Sequence, residues 1–163
     1  MAAANTAASH KFGDWDTFAE NWPIEGGSDL RKMLGGAVPL PVRTTEDAIS
    51  AVRLSATINA SADDDHKMTF SSMFTGAEVK DKAGNYVCSS AKELKLWLDR
   101  TLGKGKHMAN AGKAAGKRGI IYWSGPFGGY FELWDTTDDG FKGGVKGAVD
   151  HWDDCTDCCL WEM

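Results

Sequence analysis

The sequence predicts an α+β domain with helices packed on a small antiparallel sheet, and three observations carry that prediction. Helix signals fill the first two thirds of the chain, with the strongest between Ser90 and Leu102. Two short apolar runs, Gly119-Ile120-Ile121-Tyr122-Trp123 and Tyr130-Phe131-Glu132-Leu133-Trp134, then read as strands joined by a Gly- and Pro-containing loop. A length of 163 residues with 42% apolar composition supplies one core and falls short of the usual size for two domains. Helices first and strands later is the order expected of an α+β unit.

The elements follow from local chemistry. Residues 1–11 are rich in Ala, Asn and Ser without periodicity, so they read as a flexible N-terminal arm, with the domain running from 12 to 163. Phe12, Trp15, Phe18 and Trp22 recur at helical spacing, and Pro23 stops that helix. Ser28 is placed to cap a second short helix that Gly35 ends. Pro39 and Pro41 mark an extended stretch, and Thr45 to Ser55 reads as a helix with Ala48, Ile49 and Val52 inward. Residues 59–82 read as polar loop. Ser90 and Glu93 form a capping box before the stripe Leu94, Trp97, Leu98 and Leu102, which Gly103 closes. Lys104 to Arg118 reads as a basic loop, and Leu160-Trp161 as part of a last edge strand.

Charge and hydropathy exclude several function classes. Eighteen Lys and Arg against 23 Asp and Glu give a net charge of -5, which leaves no cationic surplus for nucleic acid or anionic lipid. No apolar run reaches the roughly 20 residues a membrane span needs, so no membrane insertion is expected. The first ten residues lack the basic and apolar regions of a signal peptide, which points to the cytoplasm, or to export by machinery that needs no such signal.

Candidate chemistry is sparse. His151, Cys155, Cys158 and Cys159 gather near the C-terminus with ligand types that suit zinc, but a lone CxxC is weak, and disulfides compete equally. No cofactor is expected. Asp63-Asp64-Asp65-His66 lacks the Gly and terminal Glu of a calcium loop and reads as a solvated turn. Cys88 precedes a helix N-terminus, where a thiolate is stabilised, although a structural role outweighs this. Seven Trp supply large amphipathic rings for a core or a binding face.

Three stretches resemble the type VI secretion amidase effector family, fourth group: small papain-like cysteine amidases that cut peptide stems of peptidoglycan. Gly27-Ser28-Asp29-Leu30-Arg31 is similar to the family's Cys-x-x-Arg helix, followed here by Val38-Pro39-Leu40-Pro41. Tyr86 to Leu102, with Lys117-Arg118-Gly119-Ile120-Ile121, resembles its long helix, basic loop and Gly-Ile-Ile strand. Gly129-Tyr130-Phe131-Glu132-Leu133-Trp134 resembles its Gly-His-x-x-Leu-Trp strand, and Leu160-Trp161 its ending. The resemblance implies a papain-like fold. It also implies that Ser28 and Tyr130 stand at the nucleophile and base positions, with Asp138 or Asp139 as the third member.

A serine hydroxyl without a base is a poor nucleophile, and a phenol of ordinary pKa near 10 cannot replace an imidazole. The sequence therefore predicts a pseudoenzyme whose old cleft, lined by Ser28, Tyr130, Trp22, Trp123 and Trp134, binds a glycan, a peptidoglycan fragment or a protein. An inhibitory protein is a further expected partner. Two alternatives stand beside this. One is an active amidase using Cys88, or a terminal Cys with His107 or His151; the other is a defence or structural protein that acts by oligomerisation.

Overall fold

The computed structural model describes residues 6–24, 26–35, 38, 46–70, 74, 78–137 and 151–163. Six helices occur among them: α1 Ala7–Phe12, α2 Trp15–Glu20, α3 Gly27–Leu34, α4 Glu46–Ser61, α5 Ala91–Leu102 and α6 Ala111–Ala114. The strands are β1 Lys106–His107, β2 Arg118–Gly125, β3 Gly128–Asp135 and β4 Asp157–Glu162. They form one antiparallel sheet in the order β1-β4-β2-β3. This is the expected α+β architecture. Among the described residues no helix is long and apolar enough to cross a membrane.

β2 is bonded on both sides, pairing Tyr122 with Phe131 of β3 and with Cys159 of β4. Alternation along the strands then sends side chains into two interiors. Ile120, Tyr122, Phe131, Leu133, Cys159 and Trp161 join the helical core with Phe12, Phe18, Leu54, Ile58, Leu94 and Leu98. Ile121, Trp123, Trp134, Cys158 and Leu160 face the other way, where Met108 and Ala114 cover them. A third, smaller cluster joins Leu30 and Leu34 of α3 to Ile49, Val52 and Ala56 of α4. Each large apolar side chain buried this way contributes roughly 1.5–3 kcal/mol.

Several local expectations change. The loose arm predicted through Lys11 contains α1, which Thr6 caps by accepting the Ser9 N–H, and Ala8 and Phe12 enter the main core. The structured unit therefore begins before residue 12. The aromatic run from Phe12 to Trp22 is split, because Gly13 turns the chain at φ 87° and Asp14 caps a new helix. Ser28 is not the cap of α3; Gly26 is, without a side-chain bond. The helix expected to end near Ser55 continues to Ser61. The basic loop holds β1 and α6, the latter capped by Asn110. The C-terminal strand is interior, because β1 covers its outer edge. Pro39 and Pro41 lie outside the described residues.

Gly119 is required at the centre of the sheet. At φ 153°, a Cβ there would stand 2.0 Å from the Trp161 carbonyl oxygen, in the backbone of β4. Gly119→Ala is expected to cost about 3 kcal/mol of stability through strand displacement, read as a lowered urea midpoint.

Candidate functional site

The helix that meets the edge of the sheet is α4. Its apolar residues form two stripes at helical spacing. Ile49, Val52 and Ala56 pack toward α3, and Ala51, Leu54 and Ile58 enter the main core. Between these stripes Ser50, with no exposed surface, points at β3, and its Oγ accepts the Phe131 N–H at 3.1 Å. The bond satisfies a backbone donor on an edge strand that would otherwise be buried unpaired. Trp15 Nε1 donates to Asp135 Oδ2 at 3.0 Å and fastens the far end of the same strand to α2.

Tyr130 immediately precedes Phe131 and is half-buried on the opposite face of the sheet from its neighbour. Its ring lies 5.2 Å from that of His151, edge to face. His151 also packs 4.8 Å from Phe127 and 5.8 Å from Trp123. A C-terminal turn brings this imidazole onto the β2–β3 hairpin. The Thr156 N–H and hydroxyl both donate to the Ser124 carbonyl, at 2.7 and 3.0 Å. Gly125 permits that approach, since a Cβ there would meet the Asp154 carbonyl oxygen at 2.7 Å.

The sequence-predicted site residues are distributed differently. Ser28 is exposed in the first turn of α3, a helix that packs on α4 through Leu30 and Leu34. It is Ser50, on α4, that meets the strand carrying Tyr130. Asp138 and Asp139 lie outside the described residues. Trp123 and Trp134 have no exposed surface, so they support the hairpin from beneath and present no face to a ligand. Trp22 is buried beside a groove of about 420 Å³, lined also by Ile24, Met33 and Ala60. The sequence did carry a signal for the missed residue: Ser50-Ala51-Val52-Arg53 repeats the Ser-x-x-Arg spacing of residues 28–31. The added sign is that helix α4 is apolar on two sides.

The terminal cysteines do not share one site. Cys158 and Cys159 are adjacent on a strand and point to opposite faces, one into each interior. Among the described residues no three His, Cys, Asp or Glu side chains are placed to hold a metal ion, and all four thiols are free. Burial pushes the Cys158 thiol strongly up, with further repulsion from Cys155 and Cys159. Burial raises Cys159 too, and Asp157 adds to it, against a partial offset from Lys95. Cys88 is buried, and its thiol donates to the Ser90 carbonyl at 3.3 Å. Asp63 Oδ1 accepts the N–H groups of Asp65 and His66, so the acidic run is a local turn.

Two outcomes test this geometry. Ser50→Ala should cost about 1–2 kcal/mol by stripping the acceptor from a buried N–H, whereas Ser28→Ala should cost under about 0.5 kcal/mol, both read by chemical denaturation. In native protein at pH 8, iodoacetamide should label half-buried Cys155 before Cys158 and Cys159, because burial raises all three thiols and Cys155 alone of them is not fully buried; peptide mapping reads the order.

No known family profile matches the sequence, and no curated protein matches it significantly. Solved structures do match the fold. The effector Tae4 from Salmonella typhimurium, in complex with the immunity Tai4 from Enterobacter cloacae, superposes with a TM-score of 0.66 at 17% identity, covering 91% of this chain and 97% of that one. In the type VI effector–immunity complex Tae4–Tai4 from Enterobacter cloacae, the match has a TM-score of 0.64 at 22% identity over 91% and 94% of the two chains. Tae4 from Enterobacter cloacae alone gives 0.60 at 20% identity over 91% and 92%. The chain has the fold of these type VI effectors, the papain-like α+β arrangement that the sequence resemblance implies.

Proposed function

We propose that this chain is a catalytically degenerate amidase scaffold that acts by binding a cell-wall fragment or a protein. The observation that carries the reading is the contact between α4 and β3. There a buried serine hydroxyl is tied to the Phe131 N–H, and the neighbouring strand position is a tyrosine. We assign the degenerate nucleophile position to Ser50 rather than Ser28, because Ser50 is the Ser-x-x-Arg residue that touches this strand. A serine in place of a thiol needs a base to take its proton, and a phenol is protonated at neutral pH. Loss of both members of a coupled pair removes several orders of magnitude in rate. The neighbours' complexes with Tai4 support an inhibitory protein as a further partner for this fold.

One observation favours a second reading, hydrolysis by a terminal cysteine. Cys159 stands opposite His107 in the β4–β1 register, and Asp157 lies 3.1 Å from the imidazole Nδ1. Against it, the thiol donates toward Asp157 and burial keeps it protonated.

Incubation with purified peptidoglycan separates the readings. The expected result is retention of the protein on the sacculus with no new peptide ends by mass spectrometry. New ends that iodoacetamide abolishes would overturn it in favour of the cysteine. The site assignment has its own check: Ser50→Cys combined with Tyr130→His should raise cleavage above the parent's background, and Ser28→Cys combined with Tyr130→His should not.

A further inference from the structure

Six aromatic rings converge at the tip of the β2–β3 hairpin, and their arrangement is layered. Trp123 and Trp134 form the buried layer, 6.0 Å apart and edge to face. Trp152 packs on both, at 4.5 and 5.5 Å. Outside them lie Tyr130 and His151, both half-buried, and Phe127, which keeps 40% of its surface exposed. The outer rings come from three separate segments: the hairpin loop, β3 and the C-terminal turn. The Thr156–Ser124 bonds and the close approach at Gly125 hold that turn in place. The outer layer is therefore preorganised by the fold.

We infer that Phe127, Tyr130, His151 and Trp152 form a platform for a neutral pyranoside glycan. The inference rests on the reading of the chain as a binding scaffold and names the ligand class. Its chemistry follows from what the patch holds. The hairpin and C-terminal residues 119–137 and 151–163 contain no Lys or Arg, while Asp153 and Asp154 are exposed on the turn itself. A phosphate, a carboxylated peptide or another anion would find no Lys or Arg among these residues and two exposed carboxylates beside it. A small cation, which aromatic cages hold at their centre, would find the place between Phe127, Tyr130 and Trp123 filled by the His151 ring. What remains is a shallow apolar surface with acceptor carboxylates at its rim. A sugar face stacks on such rings, and its hydroxyl groups donate to the carboxylates.

The test is titration of the intact protein with chitohexaose and with cellohexaose, followed by tryptophan fluorescence and calorimetry. Heparin and tetramethylammonium serve as anionic and cationic probes. At least one neutral oligosaccharide should bind. Phe127→Ala should weaken it about threefold to tenfold, with near-ultraviolet circular dichroism unchanged. His151→Ala should weaken it as well, while Leu96→Ala, an exposed apolar residue on α5, should not. Binding of neither oligosaccharide, binding indifferent to Phe127→Ala, or binding of a charged probe in their place would overturn the platform. Retention on whole peptidoglycan without cleavage, alongside failure of both oligosaccharides, would refute the glycan inference and leave the scaffold reading standing. New peptide ends would refute the scaffold reading itself.

Discussion

Strand β2 is hydrogen-bonded to β3 on one side and β4 on the other, so each of its side chains must belong to one of two interiors. That constraint organises the rest of the molecule. Ile120 and Tyr122 anchor the helical core, while Ile121 and Trp123 build the second face. A one-residue slip in either pairing would exchange the two sets and place Trp123 among the helices. Gly119 guards the register, because only a residue without a Cβ lets β4 lie this close to β2.

The second interior explains why the Trp-rich composition is divided in its use. Trp97 and Trp161 fill the helical core, and Trp123 and Trp134 fill the opposite face. The C-terminal turn then adds Trp152 and His151 over the hairpin, converting a buried aromatic layer into a surface with exposed ring edges. The same strand, β3, carries both features of functional interest. Through the Phe131 backbone it binds Ser50 on α4, and through the Tyr130 side chain it joins the ring cluster on its other face.

The Tae4-like fold and the local chemistry at α4 and β3 carry different kinds of information. A TM-score of 0.66 at 17% identity reports conservation of backbone path, which alternating strands and amphipathic helices can preserve through extensive substitution. Reaction chemistry depends instead on a few side chains in mutual contact, and a shared fold does not supply them. At this contact the hydroxyl of Ser50 has a structural use, sealing the edge of β3. That use needs no base and no low pKa.

The strand pair, helix α5 with its Ser90 cap, and the α+β order were legible in the sequence because each depends on local pattern. So was the papain-like resemblance, since two of its three stretches lie on those same segments and the third on α3. The boundary at Gly13, the N-cap of α3 at Gly26 and the two-residue strand β1 were not: helical spacing of the aromatics masked the local stop at Gly13 and Asp14, Gly26 caps without a side-chain bond, and β1 exists only through its pairing with β4. The interior position of β4 required knowing that Lys106 and His107 cover its edge from 50 residues away. Sequence spacing alone offered two Ser-x-x-Arg helices. Tertiary structure gives their serines different surroundings for a physical reason: the helix with two apolar stripes is wedged between neighbours and brings Ser50 to the sheet, and the helix with one stripe leaves Ser28 in water.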